Sequence, residues 1–194
     1  MNTRTKTYAA LLRPTGTWAT RAYDLSVVIG GSLIVALAAQ ITIRLPFSPV
    51  PITGQTLAVL LVGMLLGSRR GAMSLLAYLA EGLIGLPVFA GGASGWAYVL
   101  GPTGGYLLGF IAAAFMAGWL AERGWDRHAG TAVLAMLTGN AVLYAGGLAW
   151  LAIYAPPQSV LPWGMLALMV GDAAKLLLAA AVLPLGWRVI ERRS

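Results

Sequence analysis

The chain has 194 residues, 59% of them hydrophobic and 10% charged, whereas an ordinary soluble domain carries roughly 25% charged residues; this is too little charge to cover a soluble surface. Its net charge of +7 and mean hydropathy of +0.79 come from basic residues scattered between long apolar runs, which excludes a gathered nucleic-acid face. With no cysteine, the chain has no disulfide framework, thiolate metal site or cysteine nucleophile.

Residues 1–24 read as a basic tail carrying Arg4, Lys6, Arg13 and Arg21. The first apolar stretch, Leu25 to Ile43, contains Val35-Ala36-Leu37-Ala38-Ala39, which resembles a signal-peptidase site. Cleavage there would leave an odd number of spans and spoil the charge pattern below. Ser32 and Ala36, four residues apart, let another helix approach closely, whether from within the bundle or from a partner.

The second and third stretches, Ile52 to Gly67 and Gly71 to Leu86, are short for a hydrocarbon core of about 30 Å at a rise of 1.5 Å per residue. They therefore need local thinning or burial inside the protein. Residues 87–102 follow, rich in glycine and without a charged side chain. Such a loop should not lie in water, and irregular backbone at membrane depth is tolerated only within protein or a wet cavity. It is expected to fold over or into the bundle.

Thr103 to Ala121, Gly130 to Tyr154 and Trp163 to Val189 complete six apolar stretches. The expected fold is an all-α integral membrane protein, with a six-helix domain over residues 25–190, a re-entrant or lid loop over 87–102, and a C-terminal tail over 191–194. Arg69 and Arg70, Arg123 and Arg127, and Arg188, Arg192 and Arg193 fall on one side with the N-terminal basic residues, and only Arg44 lies opposite. By the positive-inside rule both termini face the cytoplasm and the loops after spans one, three and five face outward.

With that topology, helices of opposite direction bring polar groups to one level between the outer surface and the midplane. They are Gln40, Thr53, Gln55, Tyr78, Glu81, Thr103, Tyr106, Asn140, Tyr144, Asp172 and Lys175. The last two lie about 13 to 18 Å below the outer boundary at 1.5 Å per residue. Their i, i+3 spacing puts them on one helix face. An intramembrane ion pair is either structural glue or a functional site, and function is the default. An ammonium beside an acceptor suits a small ligand that has both an anionic or carbonyl group and N–H donors.

Glu81 is either a ligand group or a solvated helix end. Asn140 with Tyr144 is either an interhelical hydrogen bond or a cavity wall. Phe89, Trp96 and Tyr98 suit walls or a lid over an apolar ligand body. Gly91 and Gly92 suit tight turning and close backbone approach to a ligand. The glycines form no P-loop, because Gly-x-x-x-x-Gly-Lys-[Ser/Thr] is absent, and His128 in a cytoplasmic loop is far from any buried serine. No enzyme chemistry is expected.

Gly85-Leu86-Pro87-Val88-Phe89-Ala90-Gly91-Gly92, followed by Leu100-Gly101-Pro102-Thr103-Gly104-Gly105-Tyr106, resembles the BioY family of biotin-binding transporter subunits. The resemblance extends back through Pro51-Ile52-Thr53-Gly54-Gln55-Thr56 and forward to Gly171-Asp172-Ala173-Ala174-Lys175. It implies a six-helix substrate-capture subunit of an energy-coupling factor transporter in a bacterial or archaeal cytoplasmic membrane. It also implies a membrane scaffold protein and two cytoplasmic ATPases as partners, with ATP used only by them.

The resemblance further implies that Asp172 and Lys175 contact the polar parts of biotin beneath the Phe89–Tyr98 loop, and that the Ser32–Ala36 face docks the scaffold. Biotin offers two ureido N–H donors, a ureido carbonyl and a carboxylate. Asp172 could accept from the N–H groups, and Lys175 could meet either the carbonyl or the carboxylate. In this family an arginine can follow the paired glycines, where Ala93 and Ser94 stand here, so no role for an arginine at that point carries over. No covalent cofactor and no metal are expected. The alternative is a stand-alone facilitator or ion-coupled carrier, with Asp172 or Glu81 as a proton site.

Overall fold

The computed structural model describes residues 7–166 and, beyond them, Leu168, Met169, Gly171, Asp172, Lys175, Ala179, Leu183 and Pro184, all helical. Arg4, Lys6, Arg188, Arg192, Arg193 and the tail over 191–194 lie outside the described residues, as does much of the last expected span.

After a short helix α1 (Tyr8–Leu11), the long helix α2 runs from Thr17 to Gln40, eight residues earlier than the apolar stretch alone indicates. Hydropathy misses this start because polar side chains on the first turns are neutralised locally. Asp24 pairs with Arg13 at 2.6 Å and with Arg70 at 2.9 Å, while the Tyr23 hydroxyl donates to the Ala9 carbonyl at 2.9 Å. From Thr7 onward the segment is therefore folded against the bundle, and α2 begins within the stretch read as a tail.

A two-stranded antiparallel hairpin follows, β1 (Thr42–Leu45) and β2 (Ser48–Thr53), pairing Thr42 with Thr53 and Ile43 with Ile52. The all-α expectation omitted it. Pro49 and Pro51 in β2 cannot donate to a ladder on both sides, which suits a two-stranded sheet where one edge stays unpaired. The Gly54 N–H donates to the Ile41 carbonyl at 3.0 Å and closes the hairpin at its base.

Helices α3 (Gln55–Leu66) and α4 (Ser68–Leu83) are joined through Gly67 alone. Its φ of 88° lies in the left-handed region that glycine tolerates best. The Ser68 backbone N–H and hydroxyl both donate to Glu122 at 2.9 Å and fix this turn. After a single helical turn at Ala90–Gly92 come α5 (Trp96–Val99), α6 (Gly104–Ala121), α7 (Ala129–Leu151) and α8 (Pro157–Leu161).

Helix α6 is the centre of the bundle, packing against α7, α3 and α4. Close approach there requires glycine: a Cβ on Gly63 of α3 would stand 2.4 Å from the Ala114 carbonyl oxygen. Among the described residues three helices, α2, α6 and α7, are long and apolar enough to cross a membrane, and α3 is a shorter apolar helix. The outer faces of α2 and α7 carry Leu25, Ile29, Leu33, Ile34 and Leu37, and Leu134 and Leu137, all exposed. An apolar surface of that extent suits lipid contact.

Candidate functional site

Three elements meet at an ion pair whose Asp172 is buried and whose Lys175 is partly so. The last helical stretch presents Asp172 and Lys175 on one face, with Lys175 Nζ 2.9 Å from Asp172 Oδ1. The start of α3 contributes Thr56, whose hydroxyl donates to Asp172 Oδ1 at 2.7 Å. Helix α7 contributes Tyr144, whose hydroxyl donates to Asp172 Oδ2 at 2.6 Å. Lys175 Nζ also donates to the Thr53 carbonyl at 2.7 Å and to Thr56 Oγ1 at 2.8 Å. All three ammonium hydrogens thus have protein acceptors, while the carboxylate, with about four lone-pair sites, retains one for another donor.

Asn140, one turn before Tyr144 on α7, is buried beside this pair, and its Oδ1 has no hydrogen-bond partner. A buried unpaired acceptor costs roughly 1 to 3 kcal/mol. A donor from a ligand or a bound water is its natural partner.

Above the ion pair, the glycine-rich loop is locked down by a chain of contacts. Gln55 Nε2 donates to the Tyr78 hydroxyl at 2.8 Å, which donates to the Val88 carbonyl at 3.0 Å. The Phe89 ring inserts fully into the bundle, edge-on to Tyr78 with centroids 5.6 Å apart and stacked on Tyr98 at 5.2 Å. Gly82 of α4 makes the slot, because a Cβ there would lie 2.0 Å from the ring. The Gly95 N–H donates to the Gly82 carbonyl at 2.7 Å and ties down the far end of the loop.

A cavity of about 40 Å³ lies beside Asp172 and Lys175, bounded by Gln55, Thr56, Tyr98 and Phe110 among others. That is room for about one water molecule. A wider outer cavity of about 490 Å³ shares Pro51, Ala90, Tyr98 and Thr103 with it, so these four residues form the partition. Burial lifts the Tyr98 phenol above its ordinary value, with Thr103 and the Arg44 cation opposing. A cleft of about 690 Å³ opens near Arg13, Asp24, Leu66 and Arg70. It lies at the other end of α3 from Thr56 and includes none of the Asp172 cluster.

Of the residues expected at the site, the structure brings together Asp172, Lys175, Asn140, Tyr144 and Gln55, with Tyr78 and Phe89 in the roof. Trp96 is not brought in: it is 65% exposed, because α5 turns Tyr98 inward. Gly91 and Gly92, with φ of 67° and 78°, are exposed at the loop tip near Arg44 and Gln40. Glu81 faces α2, where its Oε1 accepts from the Ser32 hydroxyl at 2.8 Å while Oε2 is buried without a partner.

Of the two readings of Ser32 and Ala36, that bond favours close packing within the bundle over a partner-docking face. Ser32 is fully buried and Ala36 nearly so, since the small-residue side of α2 packs on α4 within the bundle. Thr56 was not singled out from the sequence. It stands on the first turn of α3, three residues after Thr53 closes β2, and the strand-to-helix junction brings the Thr53 carbonyl and the Thr56 hydroxyl to the same ammonium.

The BioY family profile matches residues 6–192. A biotin transporter BioY of Rhizobium etli is 41% identical over 77% of this chain and 84% of its own length. A probable biotin transporter BioY of Pyrococcus horikoshii is 37% identical over 80% and 90%, and a putative biotin transporter BioYB of Bacillus subtilis is 33% identical over 90% and 92%. The crystal structure of the S-component for biotin from an ECF-type ABC transporter superposes with a TM-score of 0.76 at 27% identity, over 90% of this chain and 95% of that one.

Proposed function

The chain belongs to the BioY family, and from that premise we infer that it captures biotin for uptake as the substrate-binding subunit of an ECF-type transporter. Transport by such a subunit leaves the ligand chemically unchanged, so the chain is not an enzyme. The observation that carries the reading is the Asp172 carboxylate, 4% exposed, held by Tyr144, Thr56 and Lys175 with the open acceptor of Asn140 beside it. Two acceptors with unused lone pairs in an apolar wall suit a pair of ureido N–H donors. Lys175 supplies the complementary donor for a carbonyl or carboxylate.

Binding on this reading is an exchange. Ligand pockets of small molecules typically measure about 300 Å³ or more, against about 40 Å³ next to the pair, so the partition of Pro51, Ala90, Tyr98 and Thr103 has to part. Lys175 then trades Thr53 or Thr56 for the ligand, a swap between hydrogen bonds of similar strength. The Phe89–Tyr98 loop acts as the lid.

The finer arrangement follows from the charge distribution. Six spans with both termini cytoplasmic put the hairpin and the glycine-rich loop outside, where biotin arrives, in a bacterial or archaeal cytoplasmic membrane. A membrane scaffold and two ATPases then drive reorientation, with ATP used only by them. Titration of the purified protein with biotin tests the reading: saturable binding by the parent chain, weakened in Asp172→Asn, is the expected result. A parent chain without affinity for biotin overturns it.

A further inference from the structure

The outer cavity of about 490 Å³ is lined by small, apolar and hydroxyl side chains, and Arg44 is the only charged one among its described lining residues. Arg44 comes from β1, and its guanidinium lies over the loop tip, with Nη2 3.4 Å from where a Cβ on Gly91 would stand. Among the described residues no carboxylate pairs with it, whereas Arg13 and Arg70 are both engaged by Asp24. Through Tyr98 and Thr103 the cavity adjoins the inner one beside Asp172 and Lys175.

We propose that Arg44 is the carboxylate-recognition residue for the ligand, with the polar ring bound at Asp172 and Lys175 and the acid end left in the outer cavity. The assignment rests on the biotin reading above and deepens it. A cation at the mouth, with no carboxylate partner among the described residues, attracts an anion and discriminates against its neutral analogue. Lys175 is poorly suited to that task, because all three of its hydrogens are already directed to Thr53, Thr56 and Asp172. Meeting the ureido carbonyl replaces one neutral acceptor with another. Bringing a second carboxylate to the Asp172 pair would set two anions side by side in an apolar wall.

The purified full chain in detergent is titrated with biotin and with biotin amide, in which a carboxamide replaces the carboxylate. The parent is expected to bind the acid about tenfold more tightly than the amide, the usual scale of a charge-assisted hydrogen bond. Arg44→Gln removes that preference by weakening acid binding, and unchanged amide binding in the same variant reports that its fold is intact. Arg44→Lys, which keeps the charge without the planar fork, retains part of the preference. An Arg44→Gln protein that still favours the acid by the parent's factor overturns the assignment, as does a parent without preference. A parent that binds neither compound instead sinks the biotin reading on which the assignment stands.

Discussion

Thr56 Oγ1 bridges both members of the ion pair: it donates to Asp172 Oδ1 at 2.7 Å and accepts from Lys175 Nζ at 2.8 Å. One hydroxyl on α3 thereby couples the hairpin end of the bundle to the last helix. It also completes the three hydrogen bonds of the ammonium before any ligand arrives, while the carboxylate keeps one open lone pair.

Thr56→Val removes that bridge and leaves a buried ammonium hydrogen and a carboxylate lone pair without partners. The ligand-free protein is expected to lose about 1 to 3 kcal/mol of stability. Because biotin can satisfy the freed groups, the rise in melting temperature on adding biotin should exceed that of the parent. An equal or smaller rise in thermal unfolding scans would show that the ligand does not replace the threonine.

Asp172→Asn keeps the side-chain shape but replaces one acceptor oxygen with a donor. Tyr144, Thr56 and Lys175 then compete for a single oxygen, and the Lys175 charge loses its counter-ion. Breaking a buried pair typically costs about 3 to 5 kcal/mol of stability, and losing a charge-assisted acceptor for a ureido N–H, worth about 1.5 to 3 kcal/mol, should lower biotin affinity by about 10- to 100-fold. Equilibrium dialysis at full occupancy of the parent checks this, and unchanged affinity removes Asp172 from the site.

Gly82→Ala puts a methyl group 2.0 Å from the Phe89 ring. Overfilling a packed slot costs about 1 to 3 kcal/mol, and the ring has to withdraw with its loop. Protease cleavage within residues 87–102 should become faster and biotin affinity should drop about tenfold or more. A protein with parent-like protection of this loop would contradict the slot's role in holding the lid.

Ser32→Ala strips Glu81 Oε1 of its donor, leaving both carboxylate oxygens without partners in a carboxylate that already has a buried free oxygen. A loss of about 1 to 3 kcal/mol in thermal stability is expected. Were Ser32 instead a docking residue, stability of the isolated subunit would stay at the parental value and only assembly with the scaffold would suffer.

Much of this was readable in the sequence because membrane physics narrows the choices. The long apolar stretches mark the helices, and the i, i+3 spacing of Asp172 and Lys175 isolates a charge pair that lipid would not tolerate unpaired. Orientation about a helix axis was less legible. Ser32 and Ala36 announce a close neighbour, but periodicity cannot say whether that neighbour is α4 or another protein. Trp96 and Tyr98 stand two apart in an apolar loop, and only the α5 turn decides which faces inward. The hairpin escaped notice because Pro46, Pro49 and Pro51 interrupt the alternation by which a strand is ordinarily read.

The saturation of Lys175 bears on the cell's energy supply. A fixed charge midway through a bilayer invites a file of water, and such a file conducts protons down the electrical gradient. Here every ammonium hydrogen is bound by protein and the adjoining space has room for about one water molecule. On the topology proposed above, the ligand-free protein is expected to leak few protons, and a proton-leak assay on liposomes carrying it without biotin checks this.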